Sequence, residues 1–272
     1  LTPSEILTTA VRLGLKAIAI TDHDTLSGSA AAISQGIPSA LKFITGLEIS
    51  AASPEGYPIH GSVHILGYGI DLFNSKLNTR LKQLHAAREN RNPRIIERLN
   101  TLGMQISMTD VIRFVGKATP GRPHIAQVMI QKGMVSSIND AFDRYLGKNG
   151  AAYVEKARVP MTEAIDAINA AGGVAVLAHP YLDGLTDADV FESFLLTLKT
   201  MGMKGIEAFY PDHSEAVTAE YCRLARKHDL LITGGTDFHG VVTPGIQMGI
   251  GDGSFHVPYQ HFKVLADYLG GA

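Results

Sequence analysis

Three apolar runs in this chain stop abruptly in ionisable residues. The run from Lys16 to Ile20 ends in Thr21-Asp22-His23-Asp24, Val174–Ala178 ends in His179-Pro180, and Leu230–Gly235 ends in Thr236-Asp237-Phe238-His239. Buried parallel strands that carry chemistry at their C-terminal ends have this texture. Two further groups lie inside apolar runs, Glu48 within Phe43–Ile49 and His64 within Val63–Tyr68. A divalent cation in a hydrolase needs neutral imidazole nitrogens and carboxylate oxygens, with a position left open for water. Asp22, His23, Glu48, His64, His179, Asp237 and His239 supply that donor set, and the single cysteine is not placed to join it. A carboxylate such as Glu48 is able to bridge two cations roughly 3.5–4 Å apart.

Each residue also has an ordinary reading. Asp22 or Asp24 caps the helix that follows, Glu48 pairs with a lysine, His64 is a satisfied core histidine, and His179 is a turn residue before proline. The Asp237-x-His239 pair is the sharper signal, because Gly234-Gly235 lets backbone approach closely. Separate strands that each produce such residues are a stronger signal than any one of them, since only aligned neighbouring strands bring them to one place.

A second set of residues suits anions. Arg122 and His124 open a helix in Gly121-Arg122-Pro123-His124, where free backbone N–H groups also favour phosphate. Arg88 and Arg91 share a helix face in a cluster that runs to Arg94, and its alternative reading is a solvated surface. His213, in Tyr210-Pro211-Asp212-His213-Ser214, leaves the end of a strand that carries Glu207 and is a candidate to meet substrate.

These residues need elements to hold them. A Thr2-Pro3-Ser4-Glu5 capping box starts a helix at once. Strands are then expected near 16–20, 43–49, 63–68, 174–178, 205–209 and 230–235, with helices through Ala31, Ala171, Leu195 and Ala225. That alternation predicts a parallel sheet, open or closed into a barrel. Between about 81 and 159 the strand-like runs vanish and glycines and prolines punctuate helical segments, so this stretch reads as a helical insertion. In a βα repeat the first helix is fed by a strand, and no residues for it precede Thr2; an absent N-terminal segment is the expectation.

At 272 residues and 45% hydrophobic composition the chain is long enough for a large core. A net charge of -2 excludes nucleic-acid binding by bulk positive charge, so any phosphate is held by a local site. One cysteine, Cys222, excludes an internal disulfide framework and reads as a core thiol in a reducing compartment. No apolar run is long enough to span a bilayer, and a cytoplasmic location is expected, with no membrane and no stable protein partner.

Thr21-Asp22-His23-Asp24, Gly46-Leu47-Glu48-Ile49, Val63-His64-Ile65-Leu66-Gly67-Tyr68, Ala178-His179-Pro180 and Gly234-Gly235-Thr236-Asp237-Phe238-His239 occur in this order. With them the chain resembles the polymerase and histidinol phosphatase (PHP) family over nearly its whole length. Gly121-Arg122-Pro123-His124 makes it most similar to the stand-alone phosphoesterases of 3′,5′-nucleoside bisphosphates and short RNA ends. The resemblance implies a distorted (β/α)7 barrel over 1–80 and 160–272, with a small helical domain inserted at 81–159 over the active site. It also implies two to three divalent metal ions, manganese first, with zinc or iron as alternatives. Glu48 would bridge two of them, Asp237 would complete the first site, His64 and His179 the second, and His23 with His239 would serve the third. Arg88, Arg91, Arg122, His124 and His213 would face the phosphates. The family opens with a strand bearing His-x-His and a nearby acidic ligand, which this chain lacks before Leu1.

The expected activity is therefore hydrolysis of a phosphate ester on a small nucleotide or oligonucleotide end. A metal-bridging hydroxide would attack phosphorus, the metals and Arg122 would hold the non-bridging oxygens, and His213 or a metal-bound water would protonate the leaving oxygen. Two rivals are a catalytically deficient metal-binding scaffold and a metal-dependent hydrolase of carbon–nitrogen bonds, which has less use for several phosphate clamps.

Overall fold

The computed structural model describes residues 1–59, 61–116, 120–155, 158–240 and 245–270, apart from the side chains of 85, 87–89, 182 and 183. Two compact units emerge. The first comprises Leu1–Leu81 with Arg158–Ala272, and the second Lys82–Ala157.

The first unit is a mixed α/β structure built on one curled sheet. Helix α1 (Pro3–Arg12) begins where the Thr2 hydroxyl accepts the Glu5 N–H and the Glu5 carboxylate accepts the Thr2 N–H in return, a reciprocal cap. Strand β1 (Ala17–Ile20) pairs in parallel with the first half of β2 (Lys42–Ala52) across α2 (Ser27–Gln35). The second half of β2 pairs antiparallel with β3 (Ser62–Tyr68), and β3 pairs antiparallel with β5 (Val174–Leu177). From β5 the order continues in parallel through β6 (Gly205–Phe209) to β7 (Leu231–Gly234), while the short β4 (Val159–Pro160) adds to the far end of β2.

The expectation of a parallel sheet is therefore corrected at β3, which runs against both neighbours. The cause is the connection: among the described residues no helix separates β2 from β3, and a short link without a crossover returns the chain beside its own strand in the opposite sense. Helices α7 (Met161–Ala170), α8 (Ala188–Thr200), α9 (Glu215–Lys227) and α10 (Tyr259–Tyr268) accompany the later strands. All four β5 residues are buried, as the unbroken apolar run requires. Cys222 is a buried thiol on α9.

Helix α3 (Ser75–Thr101) begins in the first unit and continues into the second, where α4 (Met108–Val115), α5 (Arg122–Gln131) and α6 (Ile138–Ala141) follow. A π-helical turn at Phe142–Leu146 extends α6. This unit has an apolar core of its own, in which Ile95, Leu99, Ile125, Met129 and Leu146 are fully buried.

Candidate metal centre

The centre is built around Glu48. Beyond the last ladder pair of β1 the chain stays clipped to β2, since Glu48 N–H donates to Asp22 O (3.1 Å) and Asp24 N–H donates to Glu48 O (2.8 Å). Asp24 turns there with φ 56°, and its carboxylate accepts the Ser50 N–H at 3.1 Å. This places His23 beside Glu48. On the other side of β2, Glu48 opposes Leu66, so His64, two residues earlier on β3, is its diagonal neighbour on the same face. The Ala178 N–H still donates to His64 O, and His179 then leaves the ladder at φ 27°.

Three imidazoles thus converge on one buried carboxylate. Glu48 Oε1 lies 2.7 Å from His64 Nδ1 and 3.2 Å from His179 Nε2, while Oε2 lies 3.4 Å from His23 Nδ1. His64 Nδ1 and His179 Nε2 are themselves 3.2 Å apart. Two imidazole nitrogens and a carboxylate oxygen at these separations share lone pairs that one proton cannot satisfy, whereas a cation satisfies all three. His23, Glu48 and His64 each offer a ligand atom within 4.8 Å of the others. The donor set therefore fits a divalent metal of the oxygen-and-nitrogen type.

The electrostatics agree. Burial raises the Glu48 carboxyl, but the His23 and His64 charges, with hydrogen bonds from His179 and His64, hold it well below the usual range. Burial pushes His179 down, yet the hydrogen bond and charge of Glu48, aided by Glu207 and Asp237, raise it to about 9. In both groups the neighbours outweigh desolvation. Positive charge is favoured where the imidazoles meet, and that is the place of a cation.

Asp237 and His239 follow β7 as a pair. Asp237 sits at φ 46° and accepts from the Tyr210 hydroxyl at 3.4 Å. His239 Nδ1 lies 2.6 Å from Asp237 O. That carbonyl only accepts, so Nδ1 is the donor. The His239 ring is 6.2 Å from that of His23. Burial, then the Asp237 charge, raises the Tyr210 phenol, which keeps it a donor.

Asp22 Oδ2 stands against Gly28 at the start of α2, where a Cβ would meet it at 2.1 Å, and burial raises this carboxyl above its ordinary value. His213 Nδ1 donates to Ala208 O at 2.8 Å, and burial lowers this histidine. Its Nε2 is therefore a bare acceptor. In the second unit His124 Nδ1 accepts the Gly121 N–H at 3.0 Å and closes the first turn of α5. Arg122 donates to Leu146 O at 2.8 Å and lies over the rings of Phe142 and Tyr153, a placement that the ring faces favour. Arg91 is buried, against its solvated-surface reading. The Arg88 side chain lies outside the described residues.

Sequence reasoning passed over Glu207 and Tyr210 as site residues and left Asp24 as a cap. Glu207 is buried on β6 and accepts the His179 N–H at 2.8 Å; burial, only partly offset by His179, raises its carboxyl to about 8. Its signal was present, a carboxylate inside the apolar run Gly205–Phe209, as with Glu48.

A carboxylate ringed by imidazoles at adjoining strand ends defines a metal-dependent hydrolase centre. No family model matches the chain. The 5′-3′ exoribonuclease of Haemophilus influenzae is 31% identical over 239 residues, 88% of this chain and 85% of that protein. The 3′,5′-nucleoside bisphosphate phosphatase of Chromobacterium violaceum is 29% identical over 92% of this chain and 86% of its own length. A solved structure from Bifidobacterium adolescentis, described as a metal-dependent phosphoesterase, superposes with a TM-score of 0.84 at 29% identity, covering 100% of this chain and 91% of that one. The chain belongs to the PHP family of metal-dependent phosphoesterases. Among the described residues no helix is long and apolar enough to cross a membrane.

Proposed function

We propose that this protein hydrolyses phosphate esters of small nucleotides, 3′,5′-nucleoside bisphosphates or the ends of short oligonucleotides. The observation that carries the proposal is the convergence of His23, His64 and His179 on Glu48. Those four residues, joined by Asp237 and His239, would hold two to three divalent ions, manganese first and zinc or iron as alternatives. Such ions supply polarisation of a phosphoryl oxygen and activation of water.

The chain's own groups do the rest. Glu48, kept ionised by its imidazoles, supplies the fixed negative charge that retains cations. Tyr210, a donor to Asp237, fixes the orientation of that carboxylate. His213, held in one tautomer by Ala208 O, presents Nε2 to take a proton released by the attacking water and pass it to the leaving oxygen. On the family resemblance, Arg88, Arg91, Arg122 and His124 bind substrate phosphate. The same resemblance reads the curled sheet as a distorted (β/α)7 barrel, in a cytoplasmic enzyme without a stable protein partner.

The test is elemental analysis of protein purified without chelator, followed by phosphate release from a 3′,5′-nucleoside bisphosphate and from a 5′-phosphorylated oligonucleotide. Two or three equivalents of metal with turnover of either substrate is the expected result. Bound metal without turnover would make the protein a scaffold, and preferential cleavage of an amide would move it to carbon–nitrogen hydrolysis.

A further inference from the structure

A histidine that binds a metal is commonly aimed by a hydrogen bond from its second nitrogen. Here His179 Nδ1 is buried with no hydrogen-bond partner among the described residues, while Nε2 faces Glu48 and His64. The ring direction is therefore set by the backbone that carries it. That backbone is bent: the β5–β6 ladder pairs Val176 with Gly205 and Leu177 with Ile206, and His179 turns out at φ 27°, a conformation uncommon for a residue with a side chain. Its N–H has left the main-chain ladder, and the group that receives it is the carboxylate of Glu207 on the adjoining strand, at 2.8 Å.

We propose that Glu207 is the positioning residue of the metal centre, its carboxylate holding the His179 backbone in the bend that aims Nε2 at Glu48. Glu207 acts through His179, and the inference rests on the reading of Glu48, His64 and His179 as metal ligands. An acceptor at the right reach is what the role demands. A glutamine supplies one through its amide oxygen; an aspartate keeps the carboxyl group but draws the acceptor back by one methylene.

The experiment uses the whole chain, stripped of metal and titrated with Co²⁺, reading affinity by calorimetry and ligand geometry by the visible absorption of the bound ion. Glu207→Gln is expected to bind within about threefold of the unaltered protein and to keep its spectrum. Glu207→Asp is expected to lose about tenfold to a hundredfold in affinity, as supporting groups of metal ligands do, with an altered spectrum. Equal binding by both variants, equal loss in both, or the reverse order would overturn the proposal. Absence of Co²⁺ binding by the unaltered protein would overturn the metal reading itself, a different failure. Amide exchange on the unaltered protein gives a second test that needs no variant. The His179 N–H is expected to exchange as slowly as the Leu177 N–H inside the ladder, and exchange at the rate of an open loop would refute the hydrogen bond on which the proposal stands.

Discussion

The four converging side chains, the proposed ligands, come from four different places in the sheet: His23 beyond β1, Glu48 within β2, His64 within β3 and His179 beyond β5. A cation held among them ties four chain segments that the unfolded protein leaves apart, so binding must appear as thermal stability. At a cation concentration about a thousand times the dissociation constant the gain is about 4.1 kcal/mol. For a domain of this size each kcal/mol moves the melting temperature by about 2–4 °C, which gives a rise of about 8–16 °C. Glu48→Gln preserves the side chain's shape and removes the charge that all three imidazoles face. A hundredfold loss of affinity leaves about 1.4 kcal/mol at the same concentration, a rise of only about 3–6 °C. The assay is thermal unfolding of metal-stripped protein with and without Mn²⁺, each variant compared with its own metal-free baseline so that the substitution's direct effect on stability drops out. An equal Mn²⁺-dependent rise in both proteins would refute the assignment of Glu48 as the shared ligand.

Three further outcomes follow from the geometry. A Cβ at Gly28 would stand 2.1 Å from Asp22 Oδ2 and 2.8 Å from Ile20 Cγ2. Gly28→Ala is therefore expected to destabilise by about 1–3 kcal/mol in urea unfolding, despite alanine's better helix propensity. The Asp24 carboxylate accepts the Ser50 N–H at a left-handed position. Asp24→Ala should cost about 2 kcal/mol, whereas Asp24→Asn, which keeps an acceptor and tolerates that backbone, should cost less than half of that; equal losses would show that the clip is unimportant. In the second unit the Asp110 carboxylate is held down to about 2, first by Lys132 and then by Ser107. A depressed carboxylate contributes stability above its unfolded value near 4 and loses it as pH falls through about 2, so Asp110→Asn should raise the midpoint pH of acid unfolding. An unchanged midpoint would show the cap and ion pair to be idle.

The centre could be read from the sequence because its residues break apolar strands. Glu48 and His64 interrupt runs that otherwise have no reason to contain charge, and His23, His179 and Asp237 stand where such runs stop. The direction of β3 was not legible in the same way, since a buried strand shows the same unbroken apolar pattern whichever way its neighbours run. The missing helix between Ala52 and Ser62 was the available clue, and it concerns connection, not pattern. Glu207 interrupts an apolar run in the same way as Glu48, but its partner is a backbone N–H, which leaves no trace in sequence. His124 has the right chemistry for a clamp, and its Nδ1 also accepts the Gly121 N–H in the first turn of α5, a bond set by backbone geometry that the sequence pattern does not display.

Asp24, His179 and Asp237 all hold left-handed backbone angles, of 56°, 27° and 46°. Each such position costs on the order of 1–3 kcal/mol relative to a relaxed residue, a cost that glycine does not bear. Redesign of this protein for heat tolerance, guided by folding stability alone, would be drawn to replace these three residues with glycine. The backbone strain would be relieved, and the protein would have lost the clip that Asp24 forms with Ser50 and, with it, an imidazole and a carboxylate of the proposed metal centre. Selection for durability and selection for chemistry pull against each other at the same three positions, so any stabilising library for this scaffold should hold them fixed.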